Sequence, residues 1–407
     1  MAYGEAGAAV SRKVLLHVGC PKTGTSYLQD VLFRNQSLLR EHDILYPADR
    51  FDAHFLAALD LMTLPWGGIE TEAVGAWDRL AAQVREWHGT AIISHEIFAR
   101  ATPTQVRRAL DSLGDAEVHV VLSARDLVRQ VPAEWQENVK HRSHITYARF
   151  LETIRDPARE SRIGSWFWAV QEVPDILDRW GSSLPPERVH LVTLPPSGSD
   201  RGELWRRFSR IFGLDDLPLD LTAERENPSL GVPETSLLRT INERVTSIIA
   251  PPDYRPLVRE VMAHQTLSRG VASARLGLPP DAHAWARDLS RSWTTVLAER
   301  GYDVVGSLDD LLGPEPGTFA DPDTTTADEL LPPALDAIGA LLVEAARLRA
   351  VEERLHEELR EAREERDRAR ETPSYRVRRK VVTTLEDSPA GRGTLDAYRR
   401  AKGRIRG

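Results

Sequence analysis

The chain has 407 residues, 41% of them apolar and 28% charged, with a formal net charge of −8. That length suffices for one large α/β domain with additions or for two domains, and the acidic balance argues against a general nucleic-acid binder. A single cysteine, Cys20, excludes an internal disulfide and a thiolate zinc cluster, which fits a reducing compartment. The opening MAYGEAGAAVSR holds no apolar signal segment. No stretch approaches the roughly 18 consecutive apolar residues of a membrane span, so the expected location is cytoplasmic.

In chain order, residues 14–18 (VLLHV) form a short apolar run between polar neighbours. This reads as a buried strand of a parallel sheet, although periodicity alone leaves a helix segment open. A polar loop, Gly19 to Ser26, follows, and residues 27–33 (YLQDVLF) then carry apolar residues at helical spacing. Residues 42–49 read as a short extended piece, 50–62 and 71–87 as amphipathic helices, and 90–94 (TAIIS) as a second strand. A helix over 103–113 leads to a third strand, 117–123 (EVHVVLS), and a helix ending near Lys140. Residues 166–181 predict a Trp-rich helix kinked near Pro174, and 189–194 (VHLVTL) a fourth strand. Strands alternating with helices predict a doubly wound parallel α/β sheet. From about residue 201 the pattern is helical, over 201–212, 233–248, 253–266 and 280–300.

The loop carries the chemistry. A helix start offers unpaired N–H groups and the positive end of a dipole to an anion. Gly24 permits close approach, Thr23, Thr25 and Ser26 add hydroxyls, and Lys22 adds a mobile charge. A nucleotide triphosphate loop needs GxxxxGK[ST]. Gly19, Gly24 and Ser26 have that spacing, but Thr25 stands where the lysine belongs, so a nucleotide-kinase reading fails at its central residue. Cys20 has no paired His/Asn signature and reads as a packing residue. The order Pro21-Lys22-Thr23-Gly24-Thr25-Ser26 resembles the 5′-phosphosulfate loop of sulfotransferases that use 3′-phosphoadenosine 5′-phosphosulfate (PAPS).

That resemblance covers about residues 13–250. It implies a P-loop-like sulfotransferase fold in which PAPS is the co-substrate and a hydroxyl- or amine-bearing acceptor is sulfated: a carbohydrate, lipid or small metabolite. Lys22 would meet the leaving 5′-phosphate, and Thr23, Gly24, Thr25 and Ser26 would hold the non-bridging oxygens; no metal is required. LSARDLVRQVPAEWQ resembles the family's 3′-phosphate segment, which makes Arg125 the 3′-phosphate anchor. The family's serine eight residues on is Ala133 here, with Arg129 as the substitute cation. The family's base, a histidine or glutamate after the second strand, falls on His95 or Glu96. Glu96 is the preferred candidate, and His54 and His141 are weaker ones. The family's late Arg-Lys-Gly motif is absent; Arg225, Asn227 and Ser229 are the residues that would replace it. Trp135, Gln136, Asn138 and Lys140 are candidates for the acceptor cleft. The departures at Ala133 and at the late motif keep open a second reading, a degenerate fold acting as a binding or scaffold protein.

The chain divides into residues 1–312, a sulfotransferase-like α/β domain; 313–334, a Pro-, Gly-, Asp- and Thr-rich linker; 335–371, one long helix; and 372–407, a basic tail. Leu341, Ala345, Leu348, Leu355, Leu359 and Ala362 form an imperfect coiled-coil seam, which suits either a homodimer or a solvated single helix. Residues 374–407 carry ten Lys or Arg against three Asp or Glu. Paired tails would suit an anionic membrane surface or an acidic polymer.

Overall fold

The computed structural model describes residues 12–200, 202–222, 229–269, 273–371, 373–387 and 391–395. Six strands form one sheet: β1 (Lys13–Gly19), β2 (Ile44–Leu45), β3 (Thr90–Ser94), β4 (Glu117–Ala124), β5 (Val189–Thr193) and β6 (Asp303–Val305), in the order β2-β3-β1-β4-β5-β6. Every pairing is parallel. All strands therefore end at one edge, and the chain leaves β1 towards β3 on one side and β4 on the other. That divergence opens a crevice at the carboxyl ends of β1 and β4, the usual ligand position in open α/β sheets.

The helices used below are α1 (Thr25–Arg34), α2 (Leu127–Lys140), α3 (Glu203–Phe212), α4 (Val232–Val245) and α5 (Ala327–Glu371). Leu15, Ile92, Val121, Val192 and Val305 pack with Leu28 and Val31 of α1 and Phe208 and Phe212 of α3. The alternate residues Val14, Leu16, Ile93 and Val120 are fully buried as well. Both faces of the sheet are thus covered, which explains why its strands read as unbroken apolar runs rather than alternating ones.

The chain divides into two compact units, Met1–Ile338 and Gly339–Gly407. In the first, the four expected strands are present. β6 lay outside the expectation, because three residues are too few to show a period. A further helix emerges at Tyr147–Arg155, and in place of one kinked helix stand two, Arg162–Gln171 and Val173–Gly181, broken at Glu172 ahead of Pro174. The stretch expected as a linker is fastened down. Asp323 accepts the backbone N–H groups of Tyr147 (2.9 Å) and Ala148 (2.8 Å), and Ser236 donates to Pro322 O at 2.7 Å. α5 starts at Ala327 and contains Pro332 and Pro333, so the helix begins earlier than its composition suggests.

In the second unit the helical residues up to Glu371 expose Leu342, Val343, Leu348, Leu355 and Leu359, between 45% and 73% each. Charged neighbours pair along the surface, as in Arg347–Glu344 at 2.7 Å. Among the described residues no helix is long and apolar enough to cross a membrane.

Candidate functional site

The loop between β1 and α1 is held from below by a buried polar network. His17 Nδ1 lies 2.8 Å from Ser94 Oγ at the end of β3, and its Nε2 lies 3.0 Å from Ser123 Oγ on β4. Ser123 donates to Gly19 O at 2.8 Å, so its oxygen is left to accept from the ring and Nε2 carries the proton. Burial lowers the His17 pKa to about 4, and the ring stays neutral at pH 7. Thr23 Oγ1 sits 2.6 Å from Cys20 O and 2.5 Å from Ser123 Oγ. The Thr23 hydroxyl is therefore occupied inside the loop, leaving its backbone N–H as its outward group. Burial pushes the Cys20 thiol up, in keeping with a packing residue. From α2, Gln130 donates to Pro21 O at 2.8 Å.

This scaffold sets the backbone of the turn. Lys22 and Gly24 have φ of 64° and 85°, the region in which only glycine is unstrained. A Cβ on Gly24 would stand 2.7 Å from Leu204 Cδ2. The backbone N–H groups of Lys22, Thr23, Gly24, Thr25 and Ser26 donate to no described residue. Five consecutive backbone donors without an acceptor among the described residues, at the start of a helix, have the arrangement that suits an anion. The Thr25 side chain, in the place of a triphosphate-loop lysine, is buried and hydrogen-bonds Glu96.

α2 brings charge to the same edge. Lys22 Nζ pairs with Glu137 Oε2 at 2.7 Å. Glu137 Oε1 also meets His141 Nε2 at 3.1 Å and Arg259 Nη2 at 3.3 Å. Burial opposes the charge on Glu137, but Lys22, His141 and Arg259 together hold its pKa well below the usual value. One turn earlier, Glu134 is buried and accepts from Gln171 at 2.9 Å. Burial pushes it up to about 7, with Lys22 working against the rise and Glu137 adding to it. Burial and the nearby Lys22 bring Lys140 down to about 8. Asn242 of α4 donates to Val139 O (2.7 Å) and Ser143 O (2.9 Å), anchoring this end of α2.

At the other end of α2, Arg125 is half-buried and no described residue gives it a hydrogen bond or ion pair. Burial, then repulsion from Arg129, lower its pKa to about 10. Arg129 is tied: it pairs with Asp126, the cap of α2, and donates to Pro195 O at 3.1 Å.

Glu96 and His95 follow β3 at the same edge. Gln29 of α1 donates to Glu96 Oε2 at 3.0 Å, and His95 Nε2 lies 3.9 Å from that oxygen. Burial raises the Glu96 pKa, but His95, the Glu96 backbone N–H, Gln29 and Thr25 outweigh it, and the net shift is downward. His95 is lowered by burial, and its Nδ1 accepts from Ile97 N–H at 3.3 Å. His95 is thus a neutral ring presenting Nε2 to an ionised Glu96. A row of half-buried rings leads away from it: Phe55 at 5.3 Å from His95, Trp66 at 5.5 Å from Phe55, and Trp166 at 5.8 Å from Trp66. Arg100 lies 5.1 Å over Trp166.

The structure therefore brings together Lys22, the 22–26 backbone, Thr25, Glu96 and His95. It places Arg125 at the same sheet edge and Arg129 in a structural pairing. Ser229 is exposed, and the next residue, Leu230, is clamped by Gln136 of α2 through bonds of 2.9 and 3.1 Å; Arg225 and Asn227 lie outside the described residues. Trp135 is a core residue donating to Ile145 O, and Gln136 serves the clamp, so neither lines a cleft. His54 is buried between Ser94 N–H and Pro47 O. Glu134, Glu137 and Arg259 went unread in the sequence, because single charges on helices look like a solvated face. Among the described residues no cluster of three or more His, Cys, Asp or Glu is arranged to hold a metal ion.

No protein-family model, no curated protein and no solved structure gives a significant match to the chain.

Proposed function

We propose that this protein is a PAPS-dependent sulfotransferase acting on a hydroxyl acceptor. The observation that carries the reading is the backbone row of residues 22–26, whose N–H groups have no acceptor among the described residues, with Lys22 at its side and Arg125, likewise without a partner among them, at the end of the neighbouring strand. From Leu127 to Glu137, the partner of Lys22, α2 rises about 15 Å. One helix thus has a positive side chain near each of its ends, and a nucleotide charged at both its 3′ and 5′ positions would meet both.

The co-substrate supplies an activated sulfuryl group. The backbone of residues 22–26 would orient it, and Lys22 would neutralise charge that builds on the leaving oxygen, the preorganised stabilisation that contributes most in such reactions. Arg125 would bind the 3′-phosphate. Glu96, ionised and with its side chain 23% exposed, would take the acceptor proton, while His95 and Gln29 hold its carboxylate in place. Glu134 is too enclosed to reach an acceptor and would act through Lys22.

The kinase reading has no lysine at Thr25 to support it. The deciding experiment incubates the protein with PAPS and a mixture of sugar, lipid and phenolic hydroxyl acceptors and measures 3′-phosphoadenosine 5′-phosphate. Acceptor-dependent release, absent with ATP as donor, is expected. No release with any acceptor, or turnover of ATP in its place, would refute the proposal.

A further inference from the structure

The apolar residues left exposed on α5 recur along one side of it. In heptads abcdefg, Leu341, Leu348, Leu355, Ala362 and Ala369 take the d positions, and Ala345, Glu352, Leu359 and Arg366 the a positions. Leu348, Val351, Leu355 and Leu359 line one open groove with Glu352 and His356, and Leu348, Leu355 and Leu359 are between 45% and 55% exposed. A contiguous apolar stripe of this kind marks an interaction surface. The charges beside the stripe select the partner. Positions g are Glu344, Val351, Glu358 and Glu365, and positions e are Arg349, His356, Arg363 and Arg370. In a parallel pair of helices each g residue faces the e residue of the next heptad on the other chain. A second copy would therefore set Arg349 against Glu344, Arg363 against Glu358 and Arg370 against Glu365, on both flanks of the seam. An antiparallel pair would instead face g with g and e with e, glutamate on glutamate and arginine on arginine. Within the helix, Arg347 and Arg354 at c positions pair with Glu344 and Glu358, whereas Arg349, Arg363 and Arg370 form no ion pair with a described residue. A carboxylate has lone pairs for more than one donor, so the acidic row can serve both neighbours.

We infer that residues 341–370 pair with the same residues of a second copy of this chain in a parallel, in-register, two-stranded coiled coil. Glu352 and Arg366 then each meet their own counterpart in a core layer, a cost in stability that the leucine layers and the flanking ion pairs offset. Sliding one helix by two heptads would set Glu352 against Arg366, but it would exchange the leucine-on-leucine layers at Leu348, Leu355 and Leu359 for leucine on alanine or for no partner. The full overlap therefore keeps the larger apolar contact. Both chains enter the coil at one end, and both basic tails leave it at the other.

The test uses the full chain. Sedimentation should show a dimer, and Ala362→Cys, at a d position, should give a disulfide-linked dimer on mild oxidation. The wild type, whose one cysteine is the buried Cys20, should not. Two charge-reversed chains then read the flanks. The first carries Arg349→Glu and Arg363→Glu, the second Glu344→Arg and Glu358→Arg. Each alone places like charges across the seam, and its dimer dissociation constant should rise about tenfold or more. An equimolar mixture should recover wild-type affinity as a heterodimer, which also shows that neither variant has merely lost its fold. A monomeric full chain, whether its seam is solvated or covered by another part of the same chain, overturns the inference. A dimer that fails to cross-link through Ala362→Cys overturns the parallel register. Charge-reversed chains that dimerise as well as the wild type, or that do not recombine on mixing, overturn the pairing of positions e and g.

Discussion

The two ends of α2 handle positive charge in opposite ways. At its start Arg125 is half-buried and meets no partner among the described residues; at its end Lys22, His141 and Arg259 converge on the single carboxylate of Glu137. A desolvated cation without a counter-charge is unfavourable by itself, as the depressed Arg125 pKa of about 10 reflects. Its counter-charge is then expected from outside the chain. Lys22 is neutralised within the protein, and its pairing must be exchanged when another anion arrives. The start of the helix is accordingly suited to binding, and its end to a charge that changes during a reaction.

Removing Lys22 should break this contrast most severely. Lys22→Ala is expected to lower sulfuryl transfer about 100–1,000-fold, the usual effect of deleting one preorganised charge stabiliser. Glu137 keeps Arg259 and His141, so the melting temperature should stay close to wild type. Near-normal turnover would show that Lys22 is only a structural ion pair.

The next effect is on stability and pH. The Glu134 carboxyl is raised from its ordinary value of 4.5 to about 7, and each unit corresponds to about 1.4 kcal/mol. The folded protein binds this proton more tightly than the unfolded chain does. Stability should therefore be fully present below about pH 4.5 and decline as pH rises towards 7, by about 3 kcal/mol in all. Glu134→Gln, which keeps a hydrogen-bonding partner for Gln171, should flatten this part of the profile in urea unfolding. An unchanged slope would place the titration elsewhere.

Arg125→Ala sharpens the comparison from the other side. Affinity for 3′-phosphoadenosine 5′-phosphate should fall about 10–100-fold, as for the loss of a hydrogen bond to a charged group. Turnover at saturating donor should change little, because the 3′-phosphate keeps its charge throughout. Stability should not fall, since no internal pairing is lost. A drop in saturated turnover as large as that of Lys22→Ala would erase the distinction between the two ends.

The smallest expected effect on the site comes from residues 339–407. Their exposed leucines suit pairing of two chains, and the first unit has its own sheet and core. Deleting them should leave donor binding unchanged and turn a dimer into a monomer by light scattering. A full-length monomer, or a truncated dimer, would mean that the seam is not the contact.

What the sequence disclosed follows from physical scale. β1, β3, β4 and β5 were legible because strands buried on both faces are continuous apolar runs, and the 20–26 loop because glycine, lysine and hydroxyls interrupt such a run abruptly. The position of Arg125 at the sheet edge was legible because it directly follows a strand. Glu134, Glu137 and Arg259 were not, since their meaning arises only when α2 and the π-helix Arg255–Thr266 meet over the loop. Thr23 misled for a related reason: its hydroxyl resembles an anion donor until Ser123 and Cys20 are seen to occupy it. The 313–326 stretch has the composition of a linker, yet Asp323 caps the Tyr147–Arg155 helix through two backbone bonds that no local pattern announces.

The central claim is that α2 and the loop hold a nucleotide by its 3′ and 5′ charges. Calorimetry of the wild-type protein with 3′-phosphoadenosine 5′-phosphate and with adenosine 5′-phosphate tests it most directly. Binding of the first about tenfold or more tightly than the second is expected, the difference being the contribution of the 3′-phosphate on Arg125. Equal affinity for the two, or no binding of either, would contradict the account.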